Sequence, residues 1–251
     1  MPTAHYLPDA DEIPFLEAIR SHFLDDTPRL VFADFLQERN DPRCEFIRAS
    51  VAQARAFAEG RQAPAGVVGT VTDLWRKYGG QWCGTLWEWR NLVHPSRGLI
   101  KISGTPEDFL SPCFTEMLGW ADAIRVVGSR GGITALEKTL DRNTVCEVEC
   151  AHWTQAEDDM RRRFINWLVK RTRKGKKLPS RLVSIDLGSS FRGDELPRLR
   201  DIGPAGWDQL KRVRAISYNV ASGSRVENDD ALGLRDFLSA NLWEGELETT
   251  P

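Results

Sequence analysis

The residues best suited to chemistry fall in a few short clusters. Cys146, Cys150 and His152 are zinc-ligand types lying close together. A structural zinc site needs convergent ligands, usually with close cysteine pairs. Here Cys146, Val148 and Cys150 alternate along a strand-like stretch, TVCEVECAH (144–152), so both thiols face one side, the buried one. They read as small core residues, and no metal is expected. GSRGGIT (128–134) is a glycine-rich turn between a strand and a helix, where backbone N–H groups could cradle phosphate. It lacks the Gly-Lys-Ser/Thr ending of a nucleotide loop and the glycine spacing of a dinucleotide fold, so no cofactor is expected. Glu157, Asp158 and Asp159 could divide acid and base roles, but they open a helical stretch, where negative charge is favourable for structural reasons. His5, His22, His94 and His152 are isolated, and no serine has a nucleophile-elbow context. No catalytic residue is assigned, and the chain reads as non-enzymatic.

The densest cluster is basic. Arg161, Arg162, Arg163, Lys170, Arg171, Arg173, Lys174, Lys176 and Lys177 crowd one helix and its tail. Phe164, Ile165, Trp167, Leu168 and Val169 give the same helix an apolar side. Two readings stand: a solvated helix with cations at its negative end, or a patch for phosphate backbones or an acidic partner. Aromatics suited to base stacking are not interleaved with the charges, which weighs against a single-strand role.

The elements that must position these residues follow from hydrophobic spacing. From Leu99 onward, strand-like and helical stretches alternate. LIKISG (99–104), AIRVVGS (123–129), TVCEVECAH (144–152), LVSIDLGSS (182–190) and VRAISYNV (213–220) are strand-like. Helices are predicted over 105–120, at GGITALEKTL, over 155–177 and over 229–243. The first intervals approach the length of a leucine-rich repeat, and LVSIDLGSSFRGDELPRL is the best single repeat. The expected fold class is therefore α/β: a small N-terminal helical module followed by a short, irregular leucine-rich-repeat-like solenoid with parallel strands. An ordinary α/β domain is the alternative. The boundaries are 1–58 for the module, 59–98 for a linker and tryptophan-rich joint, and 99–251 for the repeat-like region. In the joint, residues 59–69 read as loop and 71–78 as helix, and Trp75, Trp82, Trp87, Trp89 and Trp120 gather around it.

Within the module, Asp11 to Phe23 carries an apolar stripe, Thr27 is suited to cap a second helix with Pro28 after it, and Asp41 to cap a third with Pro42 after it. Asp34 lies inside an apolar run, which predicts a half-buried carboxylate paired with Arg43 or Arg48. The other charges, Arg29, Glu38, Arg39, Asp41, Arg43, Glu45 and Arg48, could form a recognition surface, but their alternating signs favour caps and helix-face ion pairs.

The stretch DDTPRLVFADFLQERNDPRCEFIR resembles the bacterial repeat-companion domain, a short helical module that precedes degenerate leucine-rich-type repeats. The resemblance is carried by Asp25-Asp26, Pro28 to Val31, Ala33 to Leu36, Glu38-Arg39, Asp41 to Arg43 and Glu45 to Arg48. It departs at Cys44, where the family has Gly, and at Phe35, where Trp is usual. It covers about 45 residues, implies the module-plus-repeats layout, and brings no catalytic residue with it.

The totals fit this picture. A net charge of −2 over 251 residues gives no global pull towards nucleic acid or membrane. Five cysteines without regular spacing suggest reduced thiols and a cytoplasmic setting, and MPTAHYLPDADE has no features of a secretory signal. The expected function is protein interaction, as an adaptor or regulatory subunit. Polar residues beside the strands, Ser103, Ser129, Glu147, Glu149, Asp186 and Ser217, are the candidate contact surface. The alternative is a nucleic-acid-binding accessory protein using the helix at 161–177.

Overall fold

The structure is a computed structural model of the full chain, and it describes residues 8–84, 87, 91–112, 114, 120–142, 144–150, 154–186, 201, 202, 206, 209, 210 and 212–214. The chain divides into two compact units. The first holds Met1–Gly104, Asp108–Ile124 and Thr144–Cys146; the second holds Thr105–Glu107, Arg125–Asn143 and the chain from Glu147 onward.

The first unit begins with four helices: α1 Ile13–Ser21, α2 Thr27–Glu38, α3 Arg43–Ala58 and α4 Ala65–Cys83. Their starts are set by acidic residues and prolines. The Asp25 carboxylate accepts from the Thr27 N–H at 2.8 Å, and Asp41 accepts from the Arg43 N–H at 2.8 Å. Thr27 is thus the first helical residue rather than the cap, with Asp26 at the cap position. His22 closes α1, its N–H bonding the Ala18 carbonyl at 3.0 Å. Leu16, Ile19, Phe32, Leu36, Phe46 and Ile47 are buried where the helices meet. α4 begins at Ala65, so the loop predicted up to 69 is shorter, and the helix predicted at 71–78 is longer at both ends. Its residues Trp75, Tyr78 and Trp82 join Phe46, Trp87 and Trp120 in one aromatic cluster, with ring centroids 4.9–6.3 Å apart. This is the tryptophan-rich joint, and Trp87 lies over Gly79, leaving no room there for a side chain.

A strand missed in the sequence follows. β1 Val93–Ser96 pairs antiparallel with β2 Leu99–Gly104, with Ser96 opposite Leu99. The two-residue turn has Arg97 at φ 44° and Gly98 at φ 88°, the backbone that a tight hairpin demands. A proline in a four-residue strand hides the alternation that sequence reading relies on. Of the helix predicted over 105–120, the described residues show a 3-10 turn at Asp108–Leu110 and helical backbone at Pro112 and Phe114.

β3 Ala121–Val126 passes from the first unit to the second. The second unit continues with α5 Gly132–Leu140, β4 Glu147–Cys150, α6 Gln155–Arg173, β5 Ser184–Asp186 and β6 Arg212–Arg214. β4 pairs parallel with β5, and β5 parallel with β6. Strand order follows chain order, β1-β2-β3-β4-β5-β6, in a mixed, mostly parallel arrangement. Val148, Ile185, Leu136, Leu140, Phe164, Ile165 and Leu168 are buried in this unit. The fold class is α/β as expected. The helix predicted over 229–243 and the strand residues beyond 214 lie outside the described residues.

Candidate functional site

The motif-rich stretch of the first unit directs its charges inward. Arg29 is fully buried; its guanidinium donates to the Phe23 carbonyl (2.8 Å), the Asp25 carbonyl (3.1 Å) and Asp122 Oδ2 (2.7 Å). Asp122 is itself buried on β3, so the pair is shielded from water. Next to it, Asp26 accepts from Arg55 and from Arg97, each at 2.7 Å. Burial pushes the Asp26 carboxyl up, but the two guanidiniums outweigh it and hold it below the ordinary value. Arg97 also donates to the carbonyls of Phe23 and Leu24. Both arginines lie over the Phe23 ring, 5.3 and 5.7 Å from its centroid. The α1–α2 corner is thereby tied to the β1–β2 hairpin and to β3.

A second knot lies at the α2–α3 turn. Arg43 donates to Glu12 at 2.6 and 3.2 Å and to Asp41 at 2.6 Å, while Arg39 pairs with Asp11 at 2.6 Å. Burial, then the neighbouring carboxylates of Asp9 and Asp41, raise Glu12 to about 7 against the pull of Arg39. Burial also lowers Arg43 to about 10. Asp34 does pair with Arg48, at 2.5 Å, but it is 68% exposed, so the half-buried placement is corrected. Its side of α2 faces solvent although its neighbours in sequence are apolar. These pairs support the reading of the module's charges as caps and ion pairs. Sequence reasoning missed the roles of Arg97 and Asp122, which lie 71 and 93 positions from their partners. The available signal was a lone carboxylate inside the apolar run ADAIRV.

The chemistry-bearing clusters resolve into structure. Cys146 and Cys150 are buried, as their spacing implied; the Cys146 thiol donates to the Arg20 carbonyl at 3.7 Å. His152 lies outside the described residues. Among the described residues no group of three or more His, Cys, Asp and Glu converges as metal ligands would. The glycine-rich turn before α5 is crowded at one position: a Cβ at Gly131 would stand 2.7 Å from Glu107 Cβ, whereas one at Gly132 would meet nothing within 4 Å. The Gly132 N–H is bonded to the Ser129 carbonyl at 3.0 Å, and Glu107 pairs with the exposed Arg130 at 2.7 Å. Thr154 and Glu157 form a reciprocal capping box at the start of α6, which accounts for the acidic run there.

The candidate contact surface beside the strands is mostly covered, which corrects it as an accessible face. Ser103, Glu147 and Asp186 are buried. Glu147 accepts from the Ser184 hydroxyl at 2.9 Å, and Glu149 pairs with Arg125 at 2.5 Å. Ser129 is half-buried in the turn before α5. Ser217 lies outside the described residues. Ser103, Glu147 and Asp186 lie on strands buried on both faces, so alternation in sequence did not mean exposure.

The basic cluster divides in two. Arg161 is fully buried and pairs with Asp158 at 3.1 Å, so it belongs to the core and not to the patch. Arg162 pairs with Asp159 at 3.4 Å, Arg171 with Glu137 at 2.6 Å, and Arg173 with Asp201 at 2.7 Å. Arg163, Lys170, Lys174, Lys176 and Lys177 are exposed and have no ion-pair partner among the described residues. No helix among the described residues is long and apolar enough to cross a membrane.

Comparisons with family models, with curated proteins and with solved structures each found no match for this chain.

Proposed function

We propose that the chain is a non-catalytic interaction protein, an adaptor or regulatory subunit whose α/β region binds a protein partner. The N-terminal stretch is read as a companion module, and the region from Leu99 as a short leucine-rich-repeat-like array. The observation that carries this reading is the succession β4-α6-β5-β6, in which parallel strands are neighbours in chain order. Repeat arrays grow in this way, each strand adding beside the last, and they characteristically serve as binding scaffolds. The module's ion-pair network adds support, because its motif residues serve to hold the hairpin and β3 in place rather than to line a pocket.

The five exposed cations of α6 and its tail favour a second reading, nucleic-acid binding through the helix at 161–177. Affinity capture with the tagged full chain, with and without nuclease and at low and high salt, separates the two. A defined protein that survives both treatments, and binds again when purified, supports the interaction protein. Recovery of nucleic acid, or of partners that vanish with nuclease, replaces it with the second reading.

A further inference from the structure

From the geometry of α6 we infer that the contact site is a narrow cationic stripe, Arg163, Lys170 and Lys174 with the lysine turn Lys176-Lys177, and that it takes an acidic segment of a protein. This deepens the interaction reading and rests on it. The spacing of seven and four residues places Arg163, Lys170 and Lys174 on one face of the helix. They span about 16 Å along its axis. All are exposed and without an ion-pair partner among the described residues, whereas Arg162, Arg171 and Arg173 on the same helix have found carboxylates. Cations at the last turn would suffice to match the helix dipole, whose influence fades within one turn. Arg163 lies well before that turn, so capping does not account for it.

The turn that extends the stripe is held in place. Gly175, at φ 69°, donates to the Thr172 carbonyl at 2.9 Å; the Lys176 N–H bonds the Arg171 carbonyl at 3.1 Å; and Arg171 Nε donates to the Lys177 carbonyl at 2.8 Å. Three lysines are thus presented on an ordered backbone, which lowers the ordering cost of binding.

The borders of the stripe decide the partner's class. Carboxylates stand beside it: Asp159 next to Arg162, Glu137 and Asp141 next to Arg171, and Asp201 next to Arg173. A nucleic-acid duplex spreads phosphate charge over two strands and would meet these carboxylates as well as the cations. A single acidic helix or extended segment can follow the stripe between them. A base platform is also missing from it. Trp167 lies within the stripe's face, but its ring is stacked with Phe164 and covered by Arg171.

The test uses the purified full chain with two fluorescent probes, a glutamate-rich peptide and a duplex DNA, read by anisotropy at about 50 and 200 mM salt. The expected result is peptide binding that weakens with salt and falls about tenfold or more in the combined variant Arg163→Glu, Lys170→Glu, Lys174→Glu. A second variant with Gln at the same positions should fall less and retain the wild-type melting temperature, which separates lost contact from lost fold. Tighter binding of the duplex than of the peptide overturns the inference in favour of nucleic acid. Peptide binding that ignores both variants, or no binding of the peptide, overturns the stripe as the site. In either case a nuclease-resistant protein captured equally by wild type and variant leaves the interaction reading standing, so the two failures are distinguishable.

Discussion

Two charge-dense stretches, residues 25–55 and 161–177, use the same residue types to opposite ends. In the first, the key arginines are drawn inside. Arg29 is buried against Asp122, Arg43 against Glu12, and the carboxylate of Asp26 is shared by Arg55 and Arg97. In the second, one arginine is buried, three are paired at the surface, and five cations face water. The difference shows what decides the fate of a charge. A guanidinium goes inside where carboxylates or backbone carbonyls meet it, whether from a distant segment, as at Arg29, or from the preceding turn, as at Arg161, because desolvation is otherwise too costly. Where the surrounding carboxylates are already matched, the remaining cations stay in solvent and are available to something else.

The comparison breaks most sharply at Asp122. Asp122→Ala would leave the Arg29 charge buried beside an apolar side chain, and is expected to destabilise the first unit by about 3–5 kcal/mol in urea unfolding. A double change, Arg29→Met with Asp122→Ala, should cost less than the sum of the two single changes. If all three variants cost less than about 1 kcal/mol, the clasp does not hold the unit together.

Inside α6 the contrast lies between residues two positions apart. Arg161→Gln should cost about 2–3 kcal/mol, since it strips a buried charged hydrogen-bonding group. Arg163→Gln should stay within about 0.5 kcal/mol, as surface changes do. Equal effects at the two positions would dissolve the distinction between core and patch. Between these in size is Gly98→Ala at the hairpin turn. The added Cβ would stand 2.8 Å from Ile47 Cγ2 on a backbone of φ 88°, so about 1–3 kcal/mol should be lost.

The smallest effect is one of pH. Glu12 is raised from 4.5 to about 7, mainly by burial. The folded unit therefore binds this proton more tightly than the unfolded chain, and Glu12 destabilises the fold above about 7. Stability should rise from this source as pH falls from 7 towards 4.5. Glu12→Gln should flatten that part of the stability curve measured by thermal unfolding. A curve with unchanged slope would place the proton elsewhere.

Much of the architecture was legible because it is local. The apolar stripe from Asp11 to Phe23, the acidic first turn at Glu157 to Asp159 and the alternation around Val148 each depend on neighbours within a few positions. β1 was missed because a four-residue strand containing Pro95 has no room for a pattern, and it forms because β2 offers it a register. The basic cluster was visible as a cluster, but not its division. Arg161, Arg162 and Arg163 are adjacent and chemically equal in sequence, and the helical turn sends one into the core, one to Asp159 and one to solvent.

The sequence by itself determined the helices of the N-terminal module, the alternation of strands and helices after Leu99, and the burial of Cys146 and Cys150. Hydrophobic period and caps act over one or two turns, so the chain carries them openly. Tertiary structure alone decided which charges became a clasp and which became a surface. Arg29 meets Asp122 across 93 positions, and Arg97 meets Asp26 across 71. An ion pair is fixed by distance in space and by the water excluded around it, and neither quantity is written in the order of residues.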